Sequence, residues 1–592
     1  MSRLLASGVV FALAATSVVF HLYLIFSGLL PNLVTRPLHL ALALPWVFVI
    51  GVDGGRARRW TGYVFCAVGV AGSLWIAWNR DILVDQYGSL EGPFQYGLAI
   101  ALIVVVLEMA RRRIKAALPI VAVLALAYGL LGHLIPGQFG HPGMPLDSFF
   151  GTLVVAGGGL WGELTGISVN VVAVFVILGA FVSASEGGPG FMLLATRLAG
   201  RMRAGPAKVA VLSSAMFGSI SGSASANVAS TGAVTLPAMK RLGYPPAFAA
   251  AVEAVASSGG QIMPPLMGAG AFLMVELLRI TYVDVMTAAI LPSILFFWAT
   301  WAGVDHFAKR HGLRGMAPDE MPSWDDVMRT APFFLLPFGV LLAILFFTGY
   351  TPQYAAAVAT GISMLLLAVD RTGCVSLGLW WRELQTAVVD AARQIATVAA
   401  IIICAGLVIG VLNMTGLGVK VTSVIIALSG GTLWMALVLT AIACLILGME
   451  VPTTAAYVIC VSVAGPALQT LGLPALHAHL FVFWYALLST ITPPVCGTVF
   501  IAAAMADAPW VAVANRAMRL GLGLYVVPLA FIVNPALIHP ELSLPLALLA
   551  MLKVGAGVWL MSGAVAGRGR QAWTAPLSFA LGAAAIFLGG VG

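Results

Sequence analysis

Apolar runs of about 20 residues recur along almost the whole of this chain of 592 residues, and each is long enough to cross a bilayer as a helix. Short polar and basic clusters separate them. The spacing predicts four crossings in 1–115, helices near 116–135 and 166–185, and further helices near 286–304, 331–349 and 354–369. Over the chain this makes roughly sixteen crossings plus some partial ones. Val209–Phe217 breaks the pattern: it is too short to span and ends in GSISGSASAN, after which a second short arm reaches Lys240 and Arg241. This reads as a re-entrant hairpin, because irregular backbone at membrane depth survives only inside protein or beside a water-filled cavity. The next helix, about 246–276, carries SSGGQIMPP at its middle. Pro264 and Pro265 remove two N–H donors, and Gly259 and Gly260 lower the cost of unwinding, so this crossing is predicted to be broken.

Both interruptions return later in the chain. Pro237, Leu242, Gly243, Pro245, Pro264 and Pro265 recur as Pro466, Leu471, Gly472, Pro474, Pro493 and Pro494, each 229 positions on. Gly416 follows Gly187 by the same step. The repeats cover about 150–285 and 380–510, with a second hairpin near 433–468 and a second broken helix at LLSTITPPVCGTVF. Between them, Trp380 to Arg393 reads as an interfacial amphipathic helix, followed by a separate helix over about 395–412. Five crossings separate Lys240 from the second hairpin, an odd number, so the hairpins are expected to open to opposite sides. The fold class predicted is an all-α polytopic membrane protein, an inverted repeat with two re-entrant hairpins and two broken helices. Such breaks at matching places in two halves point to a transport site.

Composition agrees: 61% of residues are hydrophobic and 9% charged, against roughly 25% charged in soluble domains, and mean hydropathy is +1.02. The net charge of +8 comes from clusters beside apolar runs, among them Arg56, Arg58 and Arg59, then Arg111, Arg112, Arg113 and Lys115, then Arg197, Arg201, Arg203 and Lys208. The loop between the third and fourth runs carries Asp81, Asp85 and Glu91 instead. This is the positive-inside pattern and needs no nucleic-acid partner; it places the N-terminus in the cytoplasm. The 111–115 cluster divides a four-helix module, 1–115, from a larger module, 116–592. Residues 305–329 are the most polar stretch and read as a cytoplasmic loop. Arg3 and Ala12-Leu13-Ala14 resemble a signal peptide, but the apolar run continues to Phe26, which favours an uncleaved first helix. The six cysteines, none in a CxxC pair, read as small core residues.

A helix stopped inside the membrane exposes carbonyls that can ligate cations and amides that attract anions. The first hairpin adds Ser221, Ser223, Ser225, Asn227 and Thr231, with Gly222 allowing close backbone approach; the first broken helix adds Ser257, Ser258 and Gln261 around Gly259, Gly260 and Pro264. The second hairpin offers Gly448, Glu450, Pro452, Thr453 and Thr454, and the second broken helix Ser489, Thr490, Thr492, Pro493, Gly497 and Thr498. Hard cations prefer such oxygens, and Na⁺ is expected at Ser221, Ser225, Asn227, Thr453 and Thr492. Single small residues of this kind also permit tight helix packing; two repeated constellations favour a site. Glu450 is either a functional intramembrane carboxylate or a shallow, wet hairpin tip. Glu253 reads as structural, and Asp390 and Arg393 as interfacial. His477 and His479 diverge by about 200° on a helix, which argues against a shared metal. GxxxxGK[ST], HExxH and GxSxG are all absent, so neither ATP hydrolysis nor an enzyme is expected. No cofactor is expected beyond Na⁺ as coupling ion.

GSISGSASANVASTGAVTLPAMK, SSGGQIMPP, MEVPTTAAYV, STITPPVCG and the opening GELTGISVNVVAVFVILGAFVSASEGGPGFM resemble the large membrane subunit of tripartite ATP-independent periplasmic (TRAP) transporters. Four helices in front resemble the small membrane subunit, an arrangement similar to the TAXI branch. The resemblance implies Na⁺-driven uptake of a small organic anion through the inner membrane, a TAXI-type periplasmic binding protein as partner, and a monomeric permease. It also implies an elevator mechanism, with the 380–393 segment as an arm helix. Dicarboxylates, keto acids and amino acids all fit as substrates. The competing reading is a two-component carboxylate or oxyanion transporter or exchanger without a binding protein.

Overall fold

The computed structural model describes residues 8–28, 30–52, 54–114, 116–448, 451–494, 496–566 and 574–591. Arg3, Lys115 and Glu450 lie outside the described residues. The chain is an all-α polytopic membrane protein. The long helices of 1–115 are α1 (Gly8–Phe26), α2 (Asn32–Phe48), α3 (Arg56–Trp78) and α4 (Gly92–Ile114). Next come α5 (Ala117–Leu131) and α6 (Glu163–Ala184), which contains a π-helical turn at Ser168–Val172.

The first repeat unit follows: α7 (Gly187–Ala199), α8 (Gly205–Ser221), α9 (Ala224–Arg241), α10 (Pro246–Gly259), α11 (Ala269–Leu278) and α12 (Tyr282–His311). After α13 (Pro332–Phe347), α14 (Pro352–Leu366) and α15 (Leu377–Thr415), the second unit runs α16 (Leu417–Leu428), α17 (Leu433–Leu447), α18 (Thr453–Thr470), α19 (Ala475–Leu488), α20 (Gly497–Ala506), α21 (Trp510–Leu520) and α22 (Leu522–Val533). The last two helices are α23 (Leu544–Ala566) and α24 (Thr574–Phe587).

The 229-residue step appears in the backbone. Both ends of α9 and α10 map by that step onto the ends of α18 and α19. Gly243 and Gly472, one step apart, both take positive φ, and Pro264-Pro265 and Pro493-Pro494 are both cis. α10 ends in a 3₁₀ turn, Gly260–Ile262, six residues before α11 resumes. The halves interlock: α9 and α10 contact α20, while α11 contacts α18 and α19.

Three expectations need correction. The interfacial segment 380–393 and the helix over 395–412 are one helix, the 39-residue α15. No Pro lies in it, its glycines (Gly378, Gly406 and Gly410) fall outside 380–395, and Asp390 pairs with Arg393 one turn away at 3.5 Å, so the mixed charge sits on a helix surface and marks no break. At 1.5 Å per residue α15 is about 58 Å long, nearly twice the hydrocarbon thickness, and it touches α1, α2, α4, α5, α6 and α18 as a central spine. Second, the polar stretch 305–329 begins as helix: α12 continues to His311, and Asp305 turns inward to hold Lys208 at 2.7 Å. Third, among the described residues nine helices are long and apolar enough to cross, or ten with the bent pair Pro318–Thr330 and Pro332–Phe347. The count of roughly sixteen is not met by single helices because several apolar helices are only 10–17 residues long.

Candidate functional site

The tip of the first hairpin is pressed against the first broken helix. A Cβ on Gly218 would lie 2.3 Å from Gly260 Cα, and one on Gly260 would lie 2.6 Å from Gly218 Cα. Only glycine at both positions lets the two backbones cross this closely. Gly222 ends α8 with φ +57, and a Cβ there would meet Met267 O at 3.1 Å. Ser223 caps α9 by accepting from Ala226 N at 3.4 Å. Freed backbone is satisfied locally: Gly268 N donates to Gln261 O at 2.8 Å, and buried Tyr282 donates its hydroxyl to Leu266 O at 2.9 Å and lies within bonding distance of Pro265 O.

Asn227 lies at the centre of this contact, fully buried. Its Nδ2 donates to Ser214 O at 2.9 Å and to Ser257 O at 3.4 Å, which ties both hairpin arms to α10. Its Oδ1 is buried and has no hydrogen-bond partner among the described residues, and the same holds for Ser221 Oγ. Buried acceptors are normally paired, which makes these two oxygens candidates for a ligand contact. Ser223 and Ser225 are exposed on α9 and are not brought together with Asn227. Thr231 does join, donating to Asn227 O at 2.8 Å.

The second repeat has the same plan with different chemistry. Gly448 stands where its Cβ would meet Ser489 Oγ at 2.7 Å, so this hairpin tip also abuts its broken helix. Thr498 donates to Thr490 O at 2.7 Å and closes the break around Pro493-Pro494, as Gly268 N does with Gln261 O around Pro264-Pro265. Thr492 donates to Leu488 O at 2.7 Å and lies 3.0 Å from the Tyr525 hydroxyl. Thr453 is buried at the start of α18 behind Pro452, Thr454 is half-buried, and Gly497 is exposed at the start of α20. The two breaks meet directly: Ser258 Oγ is 2.9 Å from Thr490 Oγ1 and 3.4 Å from Thr498 Oγ1.

Comparison with known proteins identifies the assembly. Residues 101–544 match the family described as "Tripartite ATP-independent periplasmic transporter, DctM component". The chain belongs to that family. The matched DctM region contains both hairpins and both broken helices; α1, α2 and α3 precede it. Over 376 residues, 63% of this chain and 84% of the relative, it is 27% identical to the C4-dicarboxylate TRAP transporter large permease protein DctM of Pseudomonas aeruginosa. It is 24% identical to the isethionate TRAP transporter permease protein DctMQ of Oleidesulfovibrio alaskensis, over 57% of this chain and 52% of that one. An uncharacterized Sinorhizobium fredii protein, y4mL, is 27% identical over 57% of this chain and 78% of its own length. The DctM component is a transporter permease and not an enzyme.

Sequence reasoning missed Ser214, Thr235, Tyr282 and Tyr525. Nothing in their local sequence marks them; each acquires its role from a distant helix. Glu253, read as structural, is fully buried, with the hydroxyls of Thr231, Thr235, Ser214 and Ser257 gathered around its carboxyl group. His479 is bonded to the Tyr457 hydroxyl at 2.8 Å, while the His477 ring faces that of His539.

Proposed function

We propose that this chain is the membrane permease of a Na⁺-coupled secondary transporter that takes up a small organic anion. A periplasmic binding protein of the TAXI type hands over the substrate. The observation that carries the reading is the meeting of the two breaks at Ser258, Thr490 and Thr498, beside the unpartnered oxygens Asn227 Oδ1 and Ser221 Oγ. Asn227 and Ser221 would hold the cation with freed carbonyls of the tip, and Thr453 and Thr492 would contribute in the second repeat. Na⁺ supplies positive charge at the anion site and couples uptake to its gradient. The N-terminal ends of α11 and α20 would offer amides to an anion, which needs no buried arginine.

The relatives' names, a C4-dicarboxylate and an isethionate permease, support small organic acids as the substrate class. Residues 1–115 would act as the small-subunit-like scaffold. Their polar contacts with the larger module support this: Arg113 donates to Thr397 at 2.7 Å, His39 Nε2 lies 3.0 Å from Ser168 Oγ, and Arg36 bonds Trp161 O. The two hairpins and broken helices would move together as the elevator of a monomeric permease in the inner membrane, with the N-terminus in the cytoplasm. The test is the Na⁺ dependence of uptake in N227A and S221A, reconstituted with the binding protein. Half-saturating Na⁺ should rise about tenfold or more, a loss of about 1.4 kcal/mol. Unchanged Na⁺ activation in both variants refutes the assignment.

A further inference from the structure

The first repeat holds a carboxylate, Glu253, where the 229-residue step places Val482 in the second. Glu253, midway along α10, has no exposed surface, and among the described residues no cationic side chain acts on it. Its surroundings are hydroxyls. Ser214 Oγ and Ser257 Oγ lie 3.4 and 3.3 Å from its Oε1 and 3.4 Å from each other, and Thr231 Oγ1 lies 3.2 Å from Ser214 Oγ and bonds the same Oε1. Thr235 Oγ1 bonds the other carboxylate oxygen at 2.5 Å.

The three longer spacings are informative. Good O–H···O hydrogen bonds run about 2.5–3.0 Å, so distances of 3.3–3.4 Å are loose for hydrogen bonding. Ser214 Oγ, Ser257 Oγ and Glu253 Oε1 instead form a nearly equilateral triangle. Adjacent oxygens in an octahedron stand about 3.4 Å apart when each is about 2.4 Å from the centre, inside the ~2.3–2.6 Å range for a hard cation of calcium's size. Sodium has nearly the same radius, and one monovalent cation balances one carboxylate.

The repeat provides the control. One 229-residue step carries Ser214, Thr231, Thr235, Glu253 and Ser257 onto Ala443, Cys460, Ala464, Val482 and Ala486. All five partners lack a hydroxyl or carboxylate, and the same helices form around them. The polar cage is therefore not a requirement of the repeat fold. A buried carboxylate with hydroxyl neighbours and no counter-charge among the described residues is costly to ionise and is a candidate for function.

We propose that Ser214, Thr231, Glu253 and Ser257 bind one Na⁺-sized monovalent cation, at a site separate from Asn227 Oδ1 and Ser221 Oγ. The proposal rests on the coupled-transport reading above. The two sites share residues: the carbonyls of Ser214 and Ser257, whose hydroxyls face Glu253, hold Asn227 Nδ2, and Thr231 Oγ1 donates to Asn227 O. Filling the cage would fix the Asn227 amide and so orient its Oδ1 toward the hairpin tip.

The test is equilibrium binding of radiolabelled Na⁺ to the purified full-length permease at fixed pH, with Na⁺-dependent thermal stabilisation as a second readout. E253Q should bind about one ion fewer per chain, while N227A retains the Glu253 component. T231V keeps the carboxylate and guards against loss of folding in E253Q; its half-saturating Na⁺ should rise about tenfold. Normal binding by the unaltered protein together with unchanged stoichiometry and affinity in E253Q and T231V overturns this site alone. Loss of proton uptake in E253Q with Na⁺ binding intact also overturns it, since the carboxylate then carries a proton. No Na⁺ binding to the unaltered protein overturns the coupling reading and this site with it.

Discussion

A single methyl group at Gly260 should damage this protein more than its size implies. The added Cβ would lie 2.6 Å from Gly218 Cα, 2.7 Å from Asn227 Nδ2 and 3.0 Å from Ser214 O. Two of these neighbours are backbone atoms, so no rotamer change relieves the overlap. Overpacking of this kind costs about 1–3 kcal/mol. Pushing Asn227 away also weakens its 2.9 Å bond to Ser214 O, worth about 1 kcal/mol, so G260A should lose about 2–4 kcal/mol in total. G218A closes the same gap from the other side, and the double variant should cost less than the two single losses added together. G339A is the comparison: that glycine lies in α13 with nothing within 4 Å of its Cβ, and alanine there should gain about 0.5–1 kcal/mol from helix propensity. Thermal unfolding in detergent reads stability, and Na⁺-dependent uptake reads the site. G260A and G218A variants as stable and as active as G339A would refute the claim that the hairpin tip and broken helix cross in backbone contact.

Three further predictions follow from the geometry. Y282F removes the hydroxyl bonded to Leu266 O and Pro265 O; leaving those carbonyls unpaired should cost about 1–3 kcal/mol, visible as a lower unfolding temperature, with uptake reduced in proportion to the misplaced break. A double-mutant cycle of S258A and T490A should show a coupling energy of about 0.5–1.5 kcal/mol; zero coupling in stability would contradict a direct link between the repeats. Cysteines at exposed Arg201 and Thr432, in a cysteine-depleted background, should be labelled from the cytoplasm and the periplasm respectively, and labelling of both from one side would refute opposite hairpin orientations.

Much of the fold was legible because the repeat is written in prolines and glycines, whose backbone effects are local. Pro264, Pro265, Pro493 and Pro494 marked both breaks, and the structure sets α9 and α10 in register with α18 and α19 by the same 229 residues. The extent of α15 was less legible. Trp380, Arg382 and Asp390 carry the marks of an interfacial segment, which do not show that the same helix continues through 395–412 to Thr415. The site was legible as a region but not atom by atom. Asn227 and Ser225 look equivalent in a polar run, yet two residues on a helix point about 200° apart, and only Asn227 is buried. The hydroxyls around Glu253 were not legible either, because Ser214 and Thr231 come from the hairpin arms, far from it in sequence.

The most direct test is uptake of radiolabelled small organic acids into proteoliposomes holding the purified permease, with the binding protein and the Na⁺ gradient varied independently. The family is described as ATP-independent, and under the proposed reading concentrative uptake draws on an ion gradient, worth about 2.3 kcal/mol per charge across 100 mV. Substrate accumulation should require both the periplasmic protein and an inward Na⁺ gradient, and should collapse when either is withdrawn. Robust accumulation without any binding protein, or without Na⁺, would contradict the account and favour a two-component exchanger.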